Sequence, residues 1–320
     1  MLYVRRKGWE LPESQVTPEH MFFNRRAFMG AAAGAAVLAA SRPVRAEDDP
    51  SMGLYPVKTN PKFADAGRPV TPEDVNTAFN NYYEFGTSKR ISAAAAKLPI
   101  RPWTIAIDGD VEKPLTLGID DLLKQVTLEE RIYRHRCVEA WAMVVPWTGF
   151  PLAKLVELAK PTANAKYLRF ETFNMPEIAS GQEPGLFGAY PWPYVEGLTM
   201  AEATNDLAFM VTGAYGKPVA KSMGAPLRLH LPWKYGFKSI KAIVKVSFVA
   251  ERPVSFWEQL GPSEYGFWAN VNPDVPHPRW SQANEQVLGT GEMAPSKLFN
   301  GYGEFVASLY TGMESEKLYM

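Results

Sequence analysis

One thiol occurs in the 320 residues, Cys137, within Arg134-His135-Arg136-Cys137-Val138-Glu139-Ala140-Trp141. Three kinds of chemistry are open to it. A lone cysteine can be a small buried apolar group. It can be a nucleophile if nearby cations lower its pKa, and Arg134, His135 and Arg136 stand beside it to do so. It can also be a soft thiolate ligand for a transition metal. In an extended chain Tyr133, His135 and Cys137 share one side, with Arg134 and Arg136 on the other. The neighbourhood therefore reads as positive and suited to an anionic ligand. With one cysteine there is no internal disulfide, and without CxxC or CxxCH there is no thiol–disulfide exchange and no covalent haem. His20, His135, His230 and His277 are too scattered for a zinc set. Neither a Walker A loop nor HExxH is present, and the pairs Gly289/Gly291 and Gly301/Gly303 lack the third glycine and the strand–helix setting of a dinucleotide fingerprint.

The N-terminal region bears on why that thiol matters. Asn24-Arg25-Arg26-Ala27-Phe28-Met29 precedes an Ala/Gly-rich apolar run from Gly30 to Ala40, then Val44-Arg45-Ala46. Paired arginines, a short weakly apolar stretch and a small-residue cleavage site read as a twin-arginine export signal. Gly30 and Gly34 have the spacing of packed membrane helices, but the run is short of the roughly 20 apolar residues that span a bilayer core. The twin-arginine route carries folded proteins, and a common reason to fold before export is a cofactor inserted in the cytoplasm. The expected organisation is 1–46 as signal with an N-terminal extension and 47–320 as a single catalytic domain in the periplasm.

Composition narrows the partners. Of 34 basic and 34 acidic residues, 7 and 3 fall in 1–46, which leaves a net charge near −4 on the remainder. No basic face points to nucleic acid. Nine Trp, fourteen Tyr and seventeen Phe, many in Pro-rich stretches such as Tyr190-Pro191-Trp192-Pro193-Tyr194, pack long loops and can also wrap a planar cofactor.

The elements that must position Cys137 are short. Strands are expected at Trp103–Gly109, Pro114–Leu117, Leu128–Val138, Tyr167–Phe173, Leu207–Thr212, Pro226–Pro232 and Ile240–Val249. Helical spacing marks Gly118–Leu123, with Asp120 as N-cap, Pro151–Leu158, and a turn at Leu198–Thr204. Residues 47–100 read as a polar lead lying over the surface, and the chain after Arg252 as loop-rich. Short strands mixed with short helices, without regular βαβ alternation, argue α+β.

Arg136-Cys137-Val138-Glu139-Ala140-Trp141, with Val145-Pro146-Trp147 and Gly149-Phe150-Pro151-Leu152 after it, resembles the molybdenum-cysteine segment of the sulfite-oxidase-fold molybdopterin oxidoreductases. Within that superfamily the chain is most similar to the periplasmic protein-methionine-sulfoxide reductases. The words Asn80-Asn81-Tyr82-Tyr83-Glu84-Phe85-Gly86, Phe170-Glu171-Thr172, Pro191-Trp192-Pro193-Tyr194-Val195-Glu196-Gly197, Gly224-Ala225-Pro226-Leu227-Arg228-Leu229, Pro232-Trp233-Lys234-Tyr235-Gly236-Phe237-Lys238-Ser239-Ile240-Lys241, Tyr265-Gly266-Phe267-Trp268 and His277-Pro278-Arg279-Trp280-Ser281-Gln282 follow in order.

The resemblance implies a sulfite-oxidase-type molybdopterin-binding fold and a molybdenum–molybdopterin cofactor ligated by Cys137. It implies that Asn80, Tyr83 and Glu84 contact the pterin, that Thr172 holds the cofactor near a strand end, and that Arg228 and the turn Ser239-Ile240-Lys241 bind the pterin and its phosphate. A terminal phosphate does need charge-assisted donors of the kind Arg228 and Lys241 supply. Met223 stands where the family has an asparagine and cannot replace its amide. The activity implied is reduction of methionine sulfoxide in oxidised periplasmic proteins by oxygen-atom transfer, with electrons from a haem-containing membrane subunit that draws on quinol. Two other readings are kept: a sulfite-oxidase-like enzyme or reductase of small S- or N-oxides with the same cofactor, and a cofactor-free binding module.

Overall fold

The computed structural model describes residues 49–185 and 190–320; the expected export signal lies outside them. Twelve short strands form two sheets among these residues. They are β1 (Thr104–Gly109), β2 (Leu115–Gly118), β3 (Glu129–Arg136), β4 (Trp141–Pro151), β5 (Tyr167–Thr172), β6 (Val195–Thr199), β7 (Phe209–Ala214), β8 (Lys217–Pro218), β9 (Arg228–His230), β10 (Ile243–Val249), β11 (Asn284–Val287) and β12 (Met293–Pro295). One sheet runs β2-β1-β10-β5-β6, with β1 and β10 parallel and the other pairs antiparallel. The other runs β12-β11-β4-β7-β8, with β3 added on β4 and β9 on β7.

The helices are short and amphipathic. Leu152–Ala159 buries Leu152, Leu155, Val156 and Ala159, the i, i+3, i+4, i+7 stripe that faces a core, and stops at Lys160 in the left-handed region. Ile119–Leu123 starts from Gly118, not from the expected Asp120 cap. Asp120 sits in the first turn, where its carboxylate meets Arg101 instead of a backbone N–H.

The structure adds one strand that was not expected and changes one further expectation. Strand β4 lies between β3 and both β7 and β11, and Trp141 to Phe150 is buried at every position. A strand covered on both faces has no alternating pattern, and Pro146 and Pro151 disguise it further. The 47–100 lead is more than a surface covering. It buries Phe63, Thr71, Asn76, Tyr82 and Phe85, and its turn Tyr83–Phe85 carries side chains into the interior.

Candidate active site

Cys137 stands at the tip of the β3–β4 hairpin. Its N–H donates to the Trp141 carbonyl (2.9 Å) and its carbonyl accepts from Ala140 N–H (3.1 Å). Ala140 closes this three-residue loop at φ +62°, the left-handed position such loops need. Side chains from elsewhere fix the turn. Arg136 donates to the Cys137 carbonyl. The Val138 carbonyl accepts from Trp280 Nε1 (2.7 Å) and Gln282 Nε2 (2.8 Å).

The hairpin aims His135 and Cys137 into a cavity of about 870 Å³, counting its open mouth. Of the nine residues singled out in the sequence, Cys137, Asn80, Tyr83, Glu84, Arg228, Ser239, Ile240 and Lys241 line it. Thr172 does not. It is buried one layer back, its hydroxyl donating to the Ala242 carbonyl (3.2 Å).

The positive charge expected around the thiol is placed differently. Arg136 is fully buried and turned away, paired with Glu285 (2.9 Å) and bonded to Gln282 and Ser296. Arg134 donates to the Ala66 carbonyl (2.7 Å). Neither lines the cavity. Burial, with Arg228 and Lys241 adding to it, drives the His135 pKa down to about 3, so the ring is neutral. Burial also pushes the Cys137 thiol up to about 12, reinforced by the Glu139 charge. A free nucleophile needs the opposite shift. A metal would remove the proton outright.

Sequence reading missed the network around the sulfur. Asn81 Nδ2 approaches Cys137 Sγ at 3.4 Å, as does Glu139 N–H. Asn81 also donates to Glu139 Oε2 (3.2 Å), which accepts from Trp141 Nε1 (3.2 Å), and Lys89 bridges Asn81 and Glu139. Asn81 belongs to the word that supplied Asn80, but nothing local marks it as a neighbour of a cysteine 56 positions away.

The N-terminal wall depends on close packing. Asn80 Nδ2 donates to the carbonyls of Asn76 (2.9 Å) and Thr77 (3.2 Å), closing the helix Glu73–Ala78. Tyr83 and Glu84 pass so near Gly181 that a Cβ there would lie 1.9 Å from the Tyr83 carbonyl oxygen. Glu84, buried, has its carboxyl raised to about 7 by desolvation, with Lys241 opposing.

The facing wall is a donor cradle. Arg228 is held by the carbonyls of Met223 (2.6 Å), Ser239 (3.2 Å) and Leu229 (3.3 Å), and its guanidinium lies 5.0 Å from the Trp147 ring centre. Thus Met223 contributes through its backbone. Lys241 points to the same space, its ammonium 5.3 Å from the Tyr82 ring centre. The backbone N–H groups of Ile240 and Lys241 have no acceptor among the described residues. Trp147 Nε1 and the Tyr82 hydroxyl are likewise buried without a partner.

Buried donors of this kind normally have partners. The wall therefore suits an anion, while the hairpin tip offers one soft ligand. Together they fit a group with a phosphate at one end and a thiolate-seeking metal at the other.

Residues 93–257 match the family described as the oxidoreductase molybdopterin-binding domain. The chain belongs to this family. The match takes in Cys137, Thr172, Arg228 and Ser239–Lys241 and leaves Asn80, Tyr83 and Glu84 outside it. The α+β architecture is the sulfite-oxidase-type molybdopterin-binding fold, and the cofactor it implies is molybdenum–molybdopterin. Among solved structures, the sulfane dehydrogenase SoxCD from Paracoccus pantotrophus aligns at 19% identity over 58% of this chain and 47% of that one, with a TM-score of 0.43. The chain thus spans under half of that protein's length.

Proposed function

We propose that this molybdopterin oxidoreductase reduces methionine sulfoxide in oxidised proteins of the periplasm, reached folded through the twin-arginine signal, with electrons from a haem-containing membrane subunit that draws on quinol. One observation carries the choice of substrate. Arg228 is the only arginine lining the cavity among the described residues, and three carbonyls engage it, while Tyr83, Phe237, Trp257 and Tyr265 line the same space. A dianion such as sulfite calls for free guanidinium groups. An uncharged sulfoxide at the end of an unbranched methylene arm needs no guanidinium and can lay that arm against aromatic surface.

The bound cofactor supplies two-electron oxygen-atom transfer. The protein's part is to hold, orient and protonate. Cys137 offers the thiolate, with Asn81 and the Glu139 N–H beside its sulfur. Arg228, Lys241 and the amides of Ile240 and Lys241 hold the phosphate end. Sulfoxide plus two electrons and two protons gives thioether and water. Glu84, raised to about 7, lines the cavity and can exchange protons near neutrality, while Lys241, beside the phosphate, stays a cation.

The test is metal analysis of protein expressed with its signal and a molybdenum supply, followed by parallel assays of methionine-sulfoxide reduction and sulfite oxidation. Near-stoichiometric molybdenum with sulfoxide reduction is expected. Sulfite oxidation without sulfoxide reduction would overturn the reading.

A further inference from the structure

The rings at the mouth are fixed from behind. Trp257 lies 4.8 Å from Tyr83 and 5.2 Å from Tyr265, and Phe237 meets Tyr265 edge-on at 5.5 Å. All four line the cavity and are partly exposed. Tyr265 rests 5.5 Å from His277, which stacks on Trp280 at 3.8 Å with the planes 10° apart. Trp280 in turn donates to the carbonyl of Val138, the residue after Cys137. Trp257 rides on the helix Phe256–Leu260, whose Ser255 and Glu258 cap each other's backbone reciprocally. The ring positions are therefore tied to the same turn that presents the thiol, and they are set before a ligand arrives.

We propose that Phe237, Trp257 and Tyr265 form the sleeve that takes the side chain of a methionine sulfoxide and so select an oxidised methionine carried on a polypeptide over small oxides. This rests on the reductase reading above. The methionine sulfoxide arm is unbranched and apolar up to its sulfur, so its methylenes can pack against the ring faces while the polar S–O end projects beyond them. Rigid rings lose little entropy when they close on such an arm. A small oxide such as dimethyl sulfoxide has no arm to fill the sleeve. Arg279, on the outer side of Trp280 (4.9 Å from its ring centre), is paired with Glu264 at 2.7 Å, so its charge is compensated.

The test compares wild type with Trp257→Ala and Tyr265→Ala, each as the full cofactor-loaded chain. Substrates are a peptide containing methionine sulfoxide and dimethyl sulfoxide. The ratio of kcat/KM for the peptide to that for dimethyl sulfoxide is expected to fall roughly tenfold, mainly through KM. Equilibrium binding of the same peptide carrying methionine sulfone, which serves as an unreduced analogue, should weaken by a similar factor, and Trp257→Phe should restore most of it. If an alanine variant does not fold, Trp257→Phe against Trp257→Leu makes the same comparison. An unchanged ratio with unchanged sulfone binding removes the sleeve and leaves the reductase. A wild type that reduces neither sulfoxide yet binds the sulfone peptide through these rings removes the reductase and leaves the sleeve.

Discussion

Lys241→Met separates cofactor binding from folding. Among the described residues the Lys241 ammonium has no ion-pair partner; it sits over the Tyr82 ring at 5.3 Å. Its pKa is lowered to about 7, chiefly by burial and then by Arg228, with Glu84 and Cys137 opposing and Lys89 adding a little to the fall. Replacing a poorly compensated buried cation by an apolar chain of similar length stabilises by about 1–4 kcal/mol. Because Lys241 is partly exposed to the cavity, about 1–2 kcal/mol is the expected gain for the apoprotein. At about 2–4 °C per kcal/mol for a chain of this size, Tm rises by several degrees. The unfolded chain binds more protons than the folded one between about pH 7 and the ordinary lysine value of 10.5, so wild-type stability climbs with pH across that window. The variant lacks this climb, and its advantage is largest at and below about pH 7 and fades toward 10.5. Cofactor affinity moves the other way. A charge-assisted hydrogen bond to phosphate contributes about 1.5–3 kcal/mol, or roughly 10- to 150-fold in affinity. The assay is thermal unfolding of apoprotein, made in a host without molybdopterin synthesis, across neutral to alkaline pH, together with molybdenum content from a competent host. A fall in apoprotein Tm, an advantage that grows with pH, or wild-type metal content would each refute the reasoning.

Cys137→Ser should fold as the wild type does, since one buried atom changes and the turn is held by its backbone bonds, yet lose molybdenum and activity. Elemental analysis with thermal unfolding checks both, and full metal content in the variant would remove Cys137 as the ligand. Gly181→Ala would place a Cβ 1.9 Å from the Tyr83 carbonyl oxygen and 2.8 Å from that of Glu84. Overpacking of this kind costs about 1–3 kcal/mol, so a lower Tm and reduced cofactor loading should appear together, and an unchanged variant would show that the approach is not tight.

The sequence words made eight cavity-lining residues legible, because they carry the residue types a molybdopterin site calls for: a thiolate, an arginine, a lysine beside two free amides. Strand alternation correctly placed His135 and Cys137 on one side and the arginines on the other. What alternation could not show is which side the cavity occupies, or that Glu285, far along the chain, pairs with Arg136. The same limit hid Asn81, whose role depends on a long-range approach to the sulfur. Strand β4 was illegible for a different reason: burial on both faces erases the period of two, and its prolines argue against a strand. In the fold as a whole, short elements with clear periodicity, such as Tyr167–Thr172 and Leu152–Ala159, were read within a residue or two.

The arginines beside Cys137 show why charge near a thiol is poor evidence for its reactivity. Arg136 is paired with Glu285, so its net field at the sulfur is small, and the thiol pKa rises with burial instead of falling. Its second job is geometric: the guanidinium donates to the Cys137 carbonyl and is itself held by Gln282, which also holds Val138. Desolvating that ion pair costs free energy that a nonpolar pair would not, and what it yields here is a rigid carbonyl framework beneath a single sulfur. The cations that do face the cavity, Arg228 and Lys241, lie with the free amides. Under the reductase reading proposed above, such a division suits a site that grips an anionic cofactor on one wall and receives a neutral substrate at the other. An arginine freed toward Cys137 would favour an anionic substrate and work against a sulfoxide.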